Sequence, residues 1–141
     1  MKIFNRKAKH DYHILETVEA GIVLSGQEVK SVRLGKVDLS ESFGKIQNGE
    51  VFLKNAYIYP YQQTQGYDPR QDRKLLLHKQ QISSLSGKIS KAATTLVPLS
   101  LYSKRNFIKV ELAVAASKKK FDKRRAIKAK DEQRRIEQEL A

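Results

Sequence analysis

The strongest β-hairpin signal in the chain is Ser42-Phe43-Gly44-Lys45-Ile46-Gln47-Asn48-Gly49-Glu50-Val51-Phe52-Leu53-Lys54-Asn55. Asn48-Gly49 is a dipeptide that a type I′ turn prefers, because both of its residues accept positive φ. Apolar residues recur on the flanking segments 42–47 and 50–55, with Val51 and Leu53 at alternate positions of the second. This pattern predicts two antiparallel strands joined by a tight turn.

A second hairpin is predicted on the C-terminal side, where segments 94–102 and 106–114 flank Ser103-Lys104-Arg105. On the N-terminal side, residues 12–18 and 21–24 are two runs of strand-forming residues. Together these segments give about six short strands. Strands of this length separated by tight turns predict a small barrel, because closure removes exposed edges.

Short helices and one long loop complete the predicted domain. Ser25 and Glu28 form a capping box for a helix that carries Val29 and Val32 on one face, and Gly35 ends it. A second helix is predicted from the spacing of three apolar residues, Ile82, Leu85 and Ile89. Residues 60–72 are expected to form a loop, and residues 1–10 a polar, basic arm.

The charge of the chain predicts a polyanionic partner. The 141 residues include 28 Lys and Arg against 15 Asp and Glu, which gives a net charge of +13. Nucleic acid and an anionic membrane surface both fit this charge. No apolar run approaches the roughly 20 residues that span a bilayer, and no apolar segment follows the basic N-terminus, so we expect neither a membrane partner nor a signal peptide. The absence of cysteine indicates a cytoplasmic location.

No catalytic motif is recognisable, so we expect no enzyme activity and no cofactor. The chain has no Gly-rich phosphate loop, no G-x-S-x-G motif and no partnered carboxylate pair. The three histidines, His10, His13 and His78, match no common zinc spacing, so no metal is expected. An RNA-modifying enzyme would need a catalytic cluster that this sequence lacks.

Several clusters of residues are candidates for RNA contacts, each with a purely structural alternative. Residues 5–12 mix cations with His10 and Tyr12, which can stack on bases, but this stretch also fits a solvated arm that leads into the core. Glu19 can accept from a base amino group or simply solvate a turn. Lys30, Arg33 and Lys36 can follow a phosphate backbone or form an ordinary solvated helix face.

The C-terminal tail is the most basic segment. From Ser117 onward it holds ten Lys and Arg against five acids, and its few apolar residues leave a helix little to pack against. We expect it to be disordered alone and to become helical on RNA. A plain solvated helix is the alternative. The predicted domains are therefore an RNA-binding domain over residues 1–116 and a basic tail over residues 117–141.

Seven sequence blocks, in this order, resemble the small protein B (SsrA-binding protein) family of tmRNA-binding proteins. They are Asn5-Arg6-Lys7-Ala8-Lys9-His10-Asp11-Tyr12, Glu19-Ala20-Gly21-Ile22-Val23-Leu24, Gly26-Gln27-Glu28-Val29-Lys30-Ser31, Asp68-Pro69-Arg70, Arg73-Lys74-Leu75-Leu76-Leu77-His78, Leu99-Ser100-Leu101-Tyr102 and Lys118-Lys119-Lys120-Phe121-Asp122-Lys123-Arg124. The resemblance implies a six-stranded antiparallel OB-like barrel with flanking helices. It also implies a monomeric adaptor of trans-translation, which binds the tRNA-like domain of tmRNA and delivers it to stalled ribosomes for peptide tagging and ribosome rescue.

The resemblance also implies which residues contact each partner. Asn5, Tyr12, Glu19 and Leu76 match positions that the family uses at the tmRNA surface, although Leu76 is alternatively a core residue. Their expected companions are Lys7, Lys9, His10, Lys30, Arg33, Lys36, Lys74 and His78. The tail residues matching the segment that enters the decoding centre and message channel of the small ribosomal subunit are Lys118, Lys119, Phe121, Asp122, Lys123 and Arg124.

The chain departs from the family at two positions in the tail. Ser117 stands where a glycine is common, which affects how freely the tail pivots. Phe121 stands where Tyr or His is common; it keeps stacking and loses a hydrogen bond. A generic OB-like, ribosome-associated RNA-binding protein, without preference among structured RNAs, is the alternative function.

Overall fold

The structure is a computed structural model, and it describes residues 1–63, 65–91, 94–118 and 133–136. Most of its elements are β-strands. Residues 133–136 are helical. The elements that precede them are β1 (Lys2–Phe4), α1 (Arg6–Asp11), β2 (Tyr12–Ile22), α2 (Gly26–Arg33), β3 (Val37–Asp38), β4 (Phe43–Gln47), β5 (Glu50–Lys54), β6 (Tyr57–Ile58), β7 (Arg73–Leu76), α3 (Lys79–Ile89), β8 (Thr94–Lys104) and β9 (Phe107–Ser117).

Six of these strands close into a ring. Its order is β8-β4-β5-β7-β2-β9, and β9 pairs again with β8. Every pairing is antiparallel. β1 adds to β8 outside the ring, and β3 pairs with β6 in a separate two-stranded sheet. The predicted OB-like architecture of six antiparallel strands is confirmed.

Glycines lie at the two thinnest seams of the ring. β4 and β8 share one register pair, Gly44 with Leu96, and β2 meets β7 through two pairs, one of them Gly21 with Leu76. A Cβ added to Gly44 would lie 2.8 Å from the Cβ of Leu96, and one added to Gly21 would lie 3.2 Å from the Cβ of Leu76. The ring therefore closes where the absence of a side chain lets two strands approach.

Apolar side chains pack on both faces of β8 and β9. Leu96, Leu101 and Leu112 belong to the main core, which the ring encloses. Residues on the opposite face, including Val97 and Ala113, form a second cluster with Ala8 of α1. Small side chains on β9 leave room for α1, so this helix covers the outside of the ring at one end.

The predicted N-terminal arm is instead ordered structure, and Asn5 explains why. The Asn5 side chain accepts from the N–H of Ala8 (3.3 Å), which caps α1, and its amide nitrogen donates to the carbonyls of Leu39 (3.1 Å) and Pro98 (2.8 Å). The backbone N–H of Asn5 donates to Leu99 (2.8 Å). These bonds fix β1 and α1 against β8, so the prediction of an arm over residues 1–10 was wrong.

A buried ion pair attaches α2 to β7. The guanidinium of Arg73 donates to the Glu28 carboxylate from Nε (2.9 Å) and Nη2 (2.6 Å), and it donates from Nη1 to the carbonyl of Ala56 (2.6 Å). The two side chains are only 1% and 4% exposed. Burial raises the pKa of Glu28, but hydrogen bonds from Ser25 and Arg73 and the charge of Arg73 outweigh it, so this pKa lies below its ordinary value.

The loop between β6 and β7 is held by the same pair. The Tyr67 hydroxyl donates to the carbonyl of Ile58 (2.8 Å) and accepts from Arg73 (3.2 Å). Gln71 donates to the Glu28 carboxylate (3.3 Å). The predicted loop over residues 60–72 is thus anchored at its C-terminal half by the charge pair that positions α2.

The other local predictions have mixed outcomes. Asn48 and Gly49 have φ of 51° and 75°, as the first hairpin requires, and Ser25 and Glu28 form the predicted capping box. The segments 12–18 and 21–24 are not two strands, because β2 runs unbroken from residue 12 to 22.

The second turn begins two residues later and ends one residue later than predicted. Arg105 and Asn106 have positive φ of 50° and 67°, and Lys104 pairs with Phe107 across the turn. Asn tolerates the left-handed region, so the pairing register selects a two-residue turn at this place rather than the predicted turn at 103–105.

The close contact at the β4–β8 seam predicts a large effect of one added methyl group. Gly44→Ala should lower the free energy of unfolding by about 1–3 kcal/mol, because its Cβ would overlap Leu96. Gly87→Ala is the matched control, since Gly87 lies in α3 with open space around it, and should leave stability unchanged or raise it by roughly 1 kcal/mol. Urea denaturation measures both, and equal effects would contradict the seam interpretation.

Candidate nucleic-acid interface

A row of paired residues crosses five strands on the outer face of the sheet. Leu76 of β7 pairs with Gly21 of β2, Gly21 with Lys109 of β9, Lys109 with Tyr102 of β8, and Tyr102 with Lys2 of β1. Residues paired across strands share a face of the sheet. An apolar side chain, an aromatic ring and two cations are therefore brought to one surface by register alone.

Leu76 is exposed, which excludes the alternative that it is a core residue. It is 53% exposed, whereas its neighbour Leu75 is 2% exposed, as the alternation of a strand requires. The Leu76 side chain lies against Gly21, where any larger residue would crowd it. Gly21 thus lets an apolar side chain lie flat across β2 on the outer surface.

Glu19 lies beside this row and is held by two groups. The Tyr102 hydroxyl donates to its carboxylate in a short hydrogen bond, and Lys104 Nζ lies 3.3 Å from Oε1. The hydrogen bond from Tyr102 lowers the pKa of Glu19, burial raises it, and the charges of Lys104 and Lys109 lower it further, so the net shift is downward. Burial and the Glu19 charge raise the pKa of Tyr102, which keeps its hydroxyl protonated as a donor. An ionised acceptor is thereby held in a fixed orientation.

We define the Glu19 face as Glu19, Leu76, His78, Gln81 and Lys109. These residues line one shallow depression of about 450 Å³. His78 precedes α3, and its backbone N–H donates to the side-chain oxygen of Gln81 (2.9 Å), so the helix start fixes the Gln81 side chain at the rim beside His78. The depression offers a carboxylate acceptor, an apolar surface and a cation within one nucleotide-sized space.

Tyr12 lies in a second depression at the opposite end of β2. We define the Tyr12 cleft as Asn5, Lys7, Asp11, Tyr12 and Glu41, which line a space of about 220 Å³ together with neighbouring residues. Tyr12 packs on the small cluster beneath α1, so its ring is half-buried. Lys7 pairs with Glu41 (2.7 Å), and the hydrogen bond and charge of Glu41 raise the pKa of Lys7.

The beginning of the basic tail adjoins the Tyr12 cleft. His10, Asp11, Tyr12, Ser117 and Lys118 line a common depression of about 600 Å³. His10 Nδ1 lies 3.0 Å from the Asp11 carboxylate, and this hydrogen bond lowers the pKa of Asp11, with a smaller contribution from Lys118. Asn5 is buried, so its observed contacts position α1 rather than present its amide to solvent.

The remaining residues of the domain that were predicted to contact RNA are exposed, but they do not form one cluster. Lys9 lies on α1, and Lys74 on β7 pairs with Glu50 (3.1 Å). On α2, Lys30 lies 5.3 Å from the ring centroid of Tyr61, whereas Arg33 donates to the carbonyl of Asn106 (3.3 Å). Lys36 follows α2 and is exposed. The predicted tail contacts Lys119, Phe121, Asp122, Lys123 and Arg124 lie outside the described residues.

Lys109, Tyr102 and Lys104 were missed by the sequence analysis. Lys109 is the central residue of the five-strand row, and the other two hold Glu19. Every second residue at the start of β9 is not buried, including Phe107, Lys109 and Glu111, and this alternation could have predicted from sequence that Lys109 lies on the outer face. The proximity of Lys109, Tyr102 and Lys104 to Glu19 depends on the pairing of β2, β9 and β8, which no local pattern reveals.

In the described part of the chain, no group of three or more His, Asp or Glu side chains could hold a metal ion. No described helix is long and apolar enough to span a membrane.

Comparison with known proteins identifies close relatives over almost the whole chain. The family model described as SmpB protein matches residues 2–141. An SsrA-binding protein from Caldicellulosiruptor saccharolyticus is 55% identical over 138 residues, which cover 96% of this chain and 87% of that protein. An SsrA-binding protein from Geobacillus thermodenitrificans is 55% identical over 135 residues, covering 94% and 87%.

A solved structure gives the same relationship in three dimensions. It is described as "tmRNA-SmpB: a journey to the center of the bacterial ribosome", and one of its chains superposes with a TM-score of 0.70 at 50% identity. The match covers 83% of this chain and 84% of that one.

The contacts of Glu19 predict a measurable change on removal of one hydroxyl group. Tyr102→Phe should raise the pKa of Glu19 toward its ordinary value, because the largest lowering contribution is the hydrogen bond from Tyr102. The pKa is measured by a carboxyl ¹³C NMR titration. Tyr12→Phe is the control, since Tyr12 lies at the other end of β2. An unchanged Glu19 pKa in Tyr102→Phe would disprove the orienting role of the hydroxyl.

Proposed function

The chain belongs to the SmpB protein family, and from this premise we propose that it is an RNA-binding adaptor of trans-translation. It binds the tRNA-like domain of tmRNA and delivers it to stalled ribosomes in the cytoplasm for peptide tagging and ribosome rescue. It carries out no chemical step itself. The observation that supports this function best is the Glu19 face, where an oriented carboxylate, an exposed leucine and a lysine share one depression.

Each group on the Glu19 face suits a different part of a nucleotide. An ionised carboxylate accepts hydrogen bonds from base amino and imino groups. Leu76 offers an apolar surface to the flat side of a base, and Lys109 can meet the flanking phosphate. Because register and Gly21 fix these groups before RNA arrives, little ordering free energy is lost on binding.

The Tyr12 cleft supplies a second RNA contact on the same domain. Tyr12 is half-buried and can stack a base with its exposed part, while Lys7 and Lys9 of α1 meet phosphates. Asn5 has an indirect role at this cleft, because its hydrogen bonds hold α1, and with it Lys7 and Lys9, against β8. His10 and Lys118 extend this surface toward the tail.

The tail is proposed to act on the ribosome rather than on tmRNA. Lys118, Lys119, Lys123 and Arg124 supply positive charge for the RNA of the decoding centre and message channel, and Asp122 adds an acceptor. Phe121 supplies a ring that stacks on a base. Because β9 ends at Ser117, the tail leaves the domain next to the Tyr12 cleft.

Two single substitutions should separate these two roles. Glu19→Gln should weaken binding to the tRNA-like domain about tenfold, since it removes charge-assisted hydrogen bonds. Phe121→Ala should leave that affinity unchanged and lower peptide tagging on stalled ribosomes about tenfold or more, since it removes a stacking contact. Filter binding and an in vitro tagging assay measure the two properties. If both variants lose affinity and tagging in the same proportion, the division between domain and tail is incorrect.

A further inference from the structure

A cluster of tyrosines and cations lies on α2 and the residues just after it, and on β6 and the loop that follows β6. We define the Tyr61 patch as Lys30, Lys36, Tyr57, Tyr59, Tyr61 and Arg70. The rings of Tyr57 and Tyr59 meet edge to face, with centroids 4.7 Å apart and planes inclined at 72°. Arg70 lies 5.1 Å from the centroid of Tyr57, and Lys30 lies 5.3 Å from that of Tyr61. The backbone N–H of Tyr59 donates to Lys36 (3.1 Å), which joins the loop to the end of α2.

The rings of this patch are open to solvent. Tyr59 is 47% exposed and Tyr61 is 41% exposed, so two neighbouring rings form one exposed aromatic surface. The start of this loop is fixed, because Ile58 accepts from Tyr67 and donates its N–H to the carbonyl of Pro69 (3.0 Å). Tyr59, whose N–H is also bonded, is therefore presented on a positioned segment, and the Tyr61 ring lies next to Lys30 of α2.

None of the three patch cations forms an ion pair with a carboxylate of the described residues, although the charge of Arg70 contributes to lowering the pKa of Asp38. Lys7, Lys54, Lys74, Lys88 and Lys104 each form an ion pair, whereas no such pair involves Lys30, Lys36 or Arg70. Arg70 instead donates to the backbone and side-chain oxygens of Asn55 (3.2 and 3.0 Å). The patch therefore combines open aromatic faces with positive charge that internal ion pairs do not neutralise.

This combination fits unpaired nucleotides. Every base has a flat face that stacks on an aromatic ring, and the cations next to each ring can meet the flanking phosphates. Double-stranded RNA does not fit, because its bases are already stacked on each other. An acidic protein could satisfy the charges but would leave two exposed rings without a specific partner.

The geometry points to unpaired nucleotides of the same tRNA-like domain as the occupant of the Tyr61 patch. α2 borders both surfaces, since Lys30 reaches Tyr61 while Arg33 reaches Asn106. Asn106 lines a depression with Val29, Leu76 and Lys109, so this side of α2 is continuous with the Glu19 face. An RNA that docks on the Glu19 face can continue over α2, and loops of a tRNA-like fold expose the unpaired bases that such a patch binds. This inference rests on the proposed function.

A fluorescence experiment tests the stacking directly. The chain contains no tryptophan, so Tyr61→Trp introduces a single indole next to Lys30 in the full-length protein. Titration with the tRNA-like domain should quench this fluorescence, since a base stacks on the indole, whereas an RNA duplex of equal length should not. Quenching that is equal with both RNAs, or absent with both, would overturn the inference.

Affinity measurements with matched variants complete the test. The double substitution Tyr59→Ala and Tyr61→Ala should weaken binding of the tRNA-like domain about tenfold, and the corresponding double Phe variant should bind like wild type, since only stacking is required. Phe4→Ala is the control, because Phe4 is also an exposed ring with a lysine 5.2 Å from its centroid, but lies on β1. It should bind like wild type.

The same series separates this inference from the proposed function and from a ribosomal partner. If the wild-type protein does not bind the tRNA-like domain selectively, the proposed function itself fails. If the wild type binds selectively but the Ala variant is unaffected, only the Tyr61 patch is wrongly assigned. Loss of binding to vacant small ribosomal subunits, with affinity for the tRNA-like domain retained, would also overturn the assignment, because the patch would then face ribosomal RNA.

Discussion

The buried ion pair between Arg73 and Glu28 is the interaction on which the arrangement of the proposed binding surfaces depends. It joins β7 of the ring to α2, and through Tyr67 it also holds the loop that carries Tyr61. Removing either partner would leave an uncompensated buried charge, which typically costs 3–5 kcal/mol. Because α2 borders both the Glu19 face and the Tyr61 patch, this pair determines how the two surfaces lie relative to each other.

Closure of the ring and display of the proposed RNA-binding groups depend on the same residue, Gly21. Gly21 lets β2 approach β7 at a seam with only two register pairs, and it also lets Leu76 lie across β2 on the outer face. Lys109 pairs with Gly21 from the other side, and Tyr102 pairs with Lys109. The site is therefore a product of strand register, and its geometry is set when the ring closes.

Local signals predicted the elements of this fold well, whereas long-range contacts had to be seen in the structure. The Asn48-Gly49 turn and the capping box of α2 were confirmed, because each depends on residues close together in sequence. The family resemblance, which seven sequence blocks carry, was also confirmed. The sequence did not predict that residues 1–10 are ordered as β1 and α1, because the hydrogen bonds of Asn5 that hold them go to carbonyls 34 and 93 residues away. Lys109 and Tyr102 were missed for the same reason: only the pairing of β2, β9 and β8 brings them to Glu19.

The central claim is that this surface selects one structured RNA rather than binding RNA by charge alone. The most direct measurement is a competition at physiological salt, in which unlabelled elongator tRNA displaces the labelled tRNA-like domain of tmRNA from the full-length protein. The account predicts that elongator tRNA competes only at concentrations orders of magnitude higher than the unlabelled tRNA-like domain. Equal competition by the two RNAs would contradict it, because the domain would then be a basic OB-like fold that recognises general charge and shape.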